Sequence, residues 1–409
     1  MMLAHFLLQL GTLLFVTYTC GWLFQRIGQP RVVGEIAGGL LLGPLAFGYL
    51  FPGLSAWLFA PATMHPLEIA SNIGLVLFLF VIGAELDLSK IQEKRAAMLA
   101  ITLGSVGLPF LLGIGIAVIL FPRFGMPNAS RVGFTLFVGI AMSITALPVL
   151  ARILKDRAEA GRPLDAATAA HALLAAAAND LLAWSALALI LTLVRAHSSV
   201  IDAVLHLLVL FAFVAVMLFA VRPLLSLLAK RYADAPGWMW LLGQVALAFL
   251  SASITDALGI HAFFGAFLAG LCVPRTPIRD VAQPHMLQKS FQPIISVTLP
   301  IFFAMTGLRM QRSMFQTGGP AWLAVILILA VTGKIIGAAL SARLSGISWP
   351  SATQIGILMN TRGLVELIVL NLGYREGILS GSLFTLFVLM ALITTAMTVP
   401  LLNLSERRS

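Results

Sequence analysis

The stretch Ala172-Leu-Leu-Ala-Ala-Ala-Ala-Asn-Asp180-Leu-Leu-Ala-Trp184 places a carboxylate inside an apolar run that extends from Leu164 to Val194. At about 1.5 Å per residue, such a run is long enough to cross a hydrocarbon core of about 30 Å as a helix. A charged side chain at mid-membrane costs at least about 2.5 kcal/mol, so such residues usually face a water-filled cavity. We therefore predict that Asp180 belongs to a functional site. The alternatives are a neutral Asp hydrogen-bonded between helices, or an Asp that snorkels from a misplaced helix end.

The composition is that of an all-α polytopic membrane protein. Apolar residues make up 60% of the 409 positions and charged residues only 10%, against about 25% charged in soluble proteins. The net charge of +10 is spread over short connections, which indicates topology signals and not a nucleic-acid patch. The two cysteines fit no metal or disulfide pattern. We expect no resident cofactor, no enzyme active site and a retained N-terminal helix.

Apolar runs bounded by charges or by Pro and Gly predict thirteen membrane spans. The ninth run is short, so twelve spans are also possible. The predicted spans are 5–24, 32–51, 67–86, 96–120, 131–154, 164–194, 200–221, 238–256, 259–273, 292–308, 320–344, 350–373 and 380–403.

The basic residues predict the orientation of these spans. Eighteen Lys and Arg residues fall in the odd-numbered connections and the C-terminal tail, and six fall in the even-numbered connections. Because short cytoplasmic loops carry the excess of Lys and Arg, we expect the N-terminus outside and the C-terminus in the cytoplasm. The expected location is the cytoplasmic membrane of a bacterium. Lys334 and Arg362 are not part of this count, because both lie inside spans and not in connections.

The second half of the chain echoes the first. The segment 34–39 (GEIAGG) of span 2 resembles 265–270 (GAFLAG) of span 9, and 77–83 (LFLFVIG) of span 3 resembles 301–307 (IFFAMTG) of span 10. Both offsets correspond to seven spans, and an odd offset inverts the topology. We therefore predict inverted repeats of spans 1–6 and 8–13 joined by span 7, which is typical of secondary transporters.

Spans 5 and 12 hold corresponding positions in the two repeats, and both carry helix-breaking residues at mid-span. In span 5, Ser143-Ile-Thr145-Ala-Leu-Pro148 contains a proline that removes a backbone donor and disfavours helix just before itself. In span 12 the interruption is Asn360-Thr361-Arg362-Gly363. Paired discontinuous helices point to a transporter site, because freed carbonyls and half-helix ends can meet an ion there. We predict that the two breaks cross, although Pro148 could mark a simple kink.

The polar residues of these spans suggest ion exchange. Asp180 can hold a proton or a partly dehydrated monovalent cation but not both, and this competition is sufficient for antiport. Because Asn179 is neutral, one acid titrates at the pair, which predicts a 1:1, electrically silent exchange. Asn179 could instead serve in helix packing or as a cap of a half-helix.

Three more charged residues lie inside the spans. Lys334 could brace the crossing of the broken helices or balance a carboxylate, with snorkelling as the alternative. Arg362 and Glu366 are four residues apart on one helical face. They are predicted either to neutralise each other or to line the ion path.

Three motifs in this order resemble the cation:proton antiporter-2 family. They are residues 31–44 (RVVGEIAGGLLLGP), 177–184 (AANDLLAW) and 359–371 (MNTRGLVELIVLN), and the resemblance covers nearly the whole chain. The last motif is most similar to plant cation/H+ exchangers, with bacterial Na+/H+ and K+/H+ antiporters as relatives. The resemblance implies a homodimer in the lipid bilayer that exchanges Na+ or K+ for protons and serves pH homeostasis.

The resemblance also implies how the chain divides. Residues 1–95 and 195–315 would form the dimerisation helices, and residues 96–194 and 316–409 the core that moves against them in an elevator-like cycle. Family roles would fall on Asp180 as ion and proton carrier and on Asn179 as its partner. The remaining positions of the crossing would be Ser143 and Thr145 in span 5, Asn360 and Thr361 in span 12, and Lys334 in span 11.

Two departures from the family pattern limit these expectations. Many electrogenic relatives carry two acids where this chain has Asn179 and Asp180, which argues against electrogenic exchange. The chain stops six residues after Asn403, so no cytosolic nucleotide-sensing domain is expected unless the native chain extends further. A sodium-coupled symporter of an organic anion is the alternative function; Arg362 could meet the anion, but Asp180 would oppose it. A channel is disfavoured because no filter-like repeated Gly loop is present.

Overall fold

The computed structural model describes residues 2–60, 63–85, 95–127, 129–195, 200–232, 234–258, 261–274, 277–278, 281–315 and 318–406. Helices dominate this part of the chain. They are α1 (Met2–Arg26), α2 (Arg31–Leu42), α3 (Phe47–Leu50), α4 (Pro52–Leu58), α5 (His65–Glu85), α6 (Arg95–Phe124), α7 (Arg131–Ser143), α8 (Leu147–Glu159), α9 (Ala166–Arg195), α10 (Val200–Val216), α11 (Arg222–Arg231), α12 (Gly237–Ala257), α13 (Ala262–Leu271), α14 (Gln283–Leu308), α15 (Gly319–Leu344), α16 (Trp349–Met359), α17 (Leu364–Arg375) and α18 (Gly381–Glu406).

Short elements complete the described structure. A π-helical turn, Met217–Val221, joins α10 to α11, and a 3-10 turn, Arg312–Phe315, precedes α15. Strands β1 (Pro277–Ile278) and β2 (Val281–Ala282) pair in an antiparallel manner.

Twelve segments of the described chain are long and apolar enough to cross a membrane. Each corresponds to one predicted span, so the all-α membrane fold is confirmed. The ninth predicted span is α13, which has only 10 residues, whereas a helix needs about 20 to cross the hydrocarbon core. The predicted count of thirteen full spans is therefore not confirmed.

The two predicted helix breaks are present. In span 5, α7 ends at Ser143 and α8 begins at Leu147. Pro148 lies in the first turn of α8, where its missing N–H removes no intrahelical hydrogen bond. In span 12, α16 ends at Met359 and α17 begins at Leu364. Pro148 thus marks a true interruption and not a simple kink.

A third interruption was not predicted. Span 2 divides into α2 and α3, and residues 43–46 between them are not helical. Gly and Pro, the residues at the break, are also frequent in continuous membrane helices, so they are no distinct signal of an interruption.

The described chain forms two compact units. One comprises Met1–Leu10, Pro61–Leu88 and Ala188–Phe302, and the other comprises Gly11–Ala60, Ser89–Leu187 and Phe303–Ser409. Spans 5 and 12, with their breaks, and α9 up to Leu187 belong to the second unit. The predicted division into dimerisation and core helices stays a prediction.

Close glycine contacts support the inverted repeats. In the second unit, Gly39 of α2 lies against α14, where an added methyl group would overlap the backbone of Phe303 and Ala304. A methyl group on Gly307 of α14 would in turn overlap the backbone of Gly39. In the first unit, Gly83 of α5 lies against Gly270 of α13 in the same manner. Span 2 therefore pairs with span 10 in the second unit, and span 9 pairs with span 3 in the first unit. Because an offset of seven relates span 2 to span 9 and span 3 to span 10, these two pairs are equivalent, as inverted repeats require.

Span ends that are predicted to lie on the same side of the membrane contact each other within the second unit. Arg157, at the end of span 5, donates to Asn403, at the end of span 13, over 2.7 Å. Gly125 and Leu379, from connections 4 and 12, form a backbone bridge. Which side is cytoplasmic stays a prediction, and several basic residues behind it lie outside the described residues: Lys90, Lys94, Arg275, Arg279, Arg407 and Arg408.

Candidate functional site

The two broken helices cross in the second unit and bind each other through their unwound segments. The backbone N–H of Ala146 donates to the carbonyl of Thr361 over 3.0 Å. The hydroxyl of Thr145 donates to the carbonyl of Met359, the last residue of α16, over 2.9 Å. Helix ends leave backbone groups without partners, and in hydrocarbon these must be satisfied inside the protein. The crossing satisfies groups of both breaks at once.

Asn179 of α9 holds the break in span 5. Its side-chain oxygen accepts from the N–H of Thr145 over 3.3 Å. Its amide nitrogen donates to the carbonyl of Ser143 over 3.2 Å and to the hydroxyl of Thr145 over 3.3 Å. The side chain of Asn179 therefore caps the half-helices. Capping was one of the two alternative roles considered in the sequence analysis, the other being helix packing.

Lys334 of α15 reaches the same break. Its ammonium donates to the hydroxyl of Thr145 over 2.6 Å and to the carbonyl of Ser143. The side chain is fully buried, so it does not snorkel to a surface. A cation at the C-terminal end of α7 is also favoured by the helix dipole.

Arg362 ties the second break to α7. Its guanidinium donates to the carbonyls of Ala141 and Met142 over 2.9 and 2.7 Å. It also donates to a carboxylate oxygen of Glu366 over 2.9 Å. Both side chains of this ion pair are fully buried, and the hydrogen bonds of Arg362 join the second break directly to the last turn of α7.

Asp180 lies beside the crossing. The residue is 0% exposed, and neither carboxylate oxygen accepts a hydrogen bond of normal geometry from any described residue. The ammonium of Lys334 and the backbone N–H of Leu147, the first residue of α8, act on its charge electrostatically. A half-helix N-terminus is the end that favours negative charge. Both oxygens of Asp180 are thus available to a proton or a cation.

The other predicted residues lie at the crossing but bind neighbouring helices. The hydroxyl of Ser143 donates to the carbonyl of Gly139 over 2.7 Å, so only its carbonyl faces Asn179 and Lys334. In span 12, the amide of Asn360 donates to the carbonyl of Thr394 over 3.5 Å, and the hydroxyl of Thr361 to that of Thr398 over 3.4 Å.

Sequence reasoning missed Thr395 of α18. Its hydroxyl accepts from the N–H of Arg362 over 3.0 Å and lies 2.7 Å from the carbonyl of the same residue. It therefore binds both backbone groups of one unwound position. Three threonines inside one apolar span, at 394, 395 and 398, were an available signal for a polar face.

Comparison with known proteins places this architecture in a family. The family model for "Sodium/hydrogen exchanger, transmembrane" matches residues 12–404. Na(+)/H(+) antiporter NhaS4 of Synechocystis sp. is 36% identical over 390 residues, which cover 93% of this chain and 92% of that protein. Cation/H(+) antiporter 17 of Arabidopsis thaliana is 36% identical over 400 residues, which cover 97% of this chain.

The Arabidopsis relative is longer. The match covers 47% of its length, so the chain spans about half of that protein. The solved structure of the sodium proton antiporter MjNhaP1 from Methanocaldococcus jannaschii superposes with a TM-score of 0.72 at 15% identity, covering 99% of both chains. At this identity the likeness shows the fold alone.

The predicted resemblance to cation/proton antiporters is confirmed by these matches, and the named relatives are transporters and not enzymes. The extent of the family match, together with twelve membrane-length segments and two crossed half-helix pairs, leads to one conclusion: the chain belongs to the sodium/hydrogen exchanger family of transmembrane proteins.

Proposed function

We propose that the protein is a secondary active antiporter that exchanges a monovalent cation, Na+ or K+, for protons, with Asp180 as the shared site. The observation that carries the proposal is the burial of Asp180 beside the crossed helices, with neither oxygen accepting a hydrogen bond of normal geometry from a described residue. A buried carboxylate without such bonds gains most from a proton or a bound cation. The relatives named as Na+/H+ and cation/H+ antiporters support the same ions.

The charges around the site suit exchange of one ion for another of equal charge. Asp180, Lys334, Arg362 and Glu366 are all 0% exposed, and when all four are ionised their charges sum to zero. A proton or a monovalent cation on Asp180 changes this sum by the same single charge. The net charge of the buried cluster is then the same with either ion bound, which permits the proton and the cation to alternate at Asp180.

The residues that are already engaged support a 1:1 stoichiometry. Asn179 cannot titrate, and its amide is occupied by the break in span 5. Glu366, the other buried acid of the cluster, is held by Arg362. Asp180 is left as the acid at the crossing that can exchange its ion, so each cycle moves one proton against one cation without net charge.

For transport we propose alternating access through an elevator-like movement in a homodimer. Hydrogen bonds tie α7, α9, α15, α16 and α18 around the crossing. Such a connected cluster supports movement of these helices as one body. The expected setting is the cytoplasmic membrane of a bacterium, with the N-terminus outside and the C-terminus inside.

Arg362 argues against the alternative of an organic-anion symporter. Both of its terminal nitrogens donate to Ala141, Met142 and Glu366. An anion that took these terminal nitrogens would have to displace their buried partners, which would leave carbonyls and a carboxylate unsatisfied. Among the donors of the guanidinium, Nε alone lacks a partner in the described residues.

Purified protein in liposomes with a preset pH gradient tests the proposal. We expect addition of Na+ or K+, without any organic solute, to dissipate the gradient, and Asp180→Asn to abolish this response while the protein elutes and melts like the parent. Asp256→Asn, which removes an exposed acid of α12, is the matched control and should exchange normally. Substantial cation-dependent proton movement by Asp180→Asn would refute the assignment, and a requirement for an organic anion would favour the symporter.

A further inference from the structure

A cavity of about 420 Å³ lies at the opposite end of α8 from Asp180. It is lined by the turn between α1 and α2, by the last turns of α8 and the residues after it, and by α18. All of these belong to the second unit. The volume falls within the range of about 300–1,000 Å³ that small-molecule sites occupy.

Two buried polar atoms of the cavity lining lack partners among the described residues. One is the Nε–H of Arg157, a residue only 6% exposed, and the other is the side-chain oxygen of Gln29. The terminal nitrogens of Arg157 already donate to Asn403 and Glu406, so Nε is its remaining donor. Buried polar atoms without partners are costly, so a ligand that offers both an acceptor and a donor would be stabilised here.

The acids of the cavity wall are engaged by other bases. Asp156 pairs with Arg152 over 2.8 Å, and Glu159 lies 3.8 Å from Lys155. Arg162 also lines the cavity, and among the described residues it has no ion-pair partner. The lining therefore has one uncompensated positive charge, which favours an anion over a cation.

The backbone adds to the same preference. α2 has 12 residues and begins at Arg31, directly after the lining residues Gln29 and Pro30. No side chain caps its N-terminus. The N–H of Val33 donates to the carbonyl of Pro30 over 3.0 Å, which leaves the N–H groups of Arg31 and Val32 uncapped by a side chain at the positive end of the helix dipole. Helix N-termini of this kind bind phosphate and carboxylate groups.

We infer that this cavity binds a phosphate group of a small anion. The N–H of Arg157 and the first turn of α2 would donate to the phosphate oxygens, with the guanidinium of Arg162 balancing the charge. Gln29 would accept from a protonated phosphate oxygen or a hydroxyl group of the same ligand. Because the cavity lies at the ends of membrane helices, the phosphate could belong to a soluble metabolite or to a lipid headgroup.

Two arms of one experiment separate these sources. In neutral detergent at constant ionic strength, inorganic phosphate is titrated calorimetrically against the full chain, with chloride as the reference. In nanodiscs, the thermal midpoint is compared between phosphatidylcholine alone and phosphatidylcholine with phosphatidic acid. Saturable binding in the first arm assigns a soluble phosphate, and stabilisation confined to the second assigns a lipid.

Variants decide whether the cavity is responsible. Loss of one charge-assisted hydrogen bond corresponds to about tenfold weaker binding, which we expect for Arg157→Gln and for Arg162→Gln. Arg343→Gln removes an exposed charge of α15 outside the lining and should bind as the parent does. Should Arg157→Gln fail to fold, Arg162→Gln decides, since this side chain is exposed. The inference is overturned if neither phosphate source has an effect, or if the effect persists unchanged in the variants that fold.

Discussion

Asn179 and Lys334 donate to the same two acceptors, the carbonyl of Ser143 and the hydroxyl of Thr145. One side chain comes from α9 and the other from α15, so the unwound segment of span 5 is held from two sides. The pair therefore fixes the position of the break relative to Asp180, the residue after Asn179. A change in either side chain is expected to alter the electrostatics of the other.

Replacing Asn179 by Asp should make exchange sensitive to voltage. The new carboxylate cannot donate to Ser143 or Thr145, and it would lie next to the ammonium that shares those acceptors. A second acid at the site adds a titratable charge per cycle. Exchange is measured in proteoliposomes with and without an imposed membrane potential. The parent should show equal rates in both, and a variant that is equally insensitive would contradict the prediction.

Lys334 should stabilise the crossing through its hydrogen bonds. Lys334→Met removes both and is expected to lower the free energy of unfolding by at least about 1.5–3 kcal/mol, the usual contribution of one hydrogen bond to a charged group. Lys334→Gln keeps a donor and should lose less. Unfolding is followed in mixed micelles, with Lys155→Met as the control because that side chain is exposed. Equal stability of Lys334→Met and the parent would show that these bonds contribute nothing.

The contributions of Arg362 and Glu366 to stability should be strongly coupled. Arg362→Gln leaves a buried carboxylate without its cation and is expected to cost about 3–5 kcal/mol of stability. The double variant Arg362→Gln, Glu366→Gln should cost less than the two single changes added together, because no unpaired charge remains. Urea or SDS titrations of the four proteins give the coupling energy. Strict additivity would mean that the pair does not interact.

The contact between Gly39 and Gly307 should not tolerate a methyl group. Gly307→Ala is expected to cost about 1–3 kcal/mol through overpacking, since the new Cβ would overlap the backbone of α2. Gly11→Ala in α1, where nothing lies within 4 Å of the added atom, should be neutral or stabilising. Thermal midpoints of both variants in detergent provide the comparison. An equal midpoint for Gly307→Ala and the parent would show that the helices can separate without cost.

Local sequence features predicted the breaks because their causes are local. Pro148 fixes where α8 can begin, and the polar run 360–363 cannot continue an apolar helix without partners. The ten-residue length of α13 was already visible as a short apolar run. The partners of the broken segments were not predictable in the same way. The contact of Thr395 with Arg362, and that of Asn179 with Thr145, depend on the rotation of neighbouring helices, which a single sequence does not specify.

α8 has thirteen residues, and its first lies beside Asp180 while its last turns line the phosphate-sized cavity. At about 1.5 Å per residue this helix is a rod of about 20 Å. A hydrogen-bonded helix of that length bends little. A displacement of the end that lines the cavity, which is predicted to be cytoplasmic, is therefore expected to displace the end beside Asp180 by a similar amount. A single short helix therefore connects the cavity mechanically to the surroundings of Asp180.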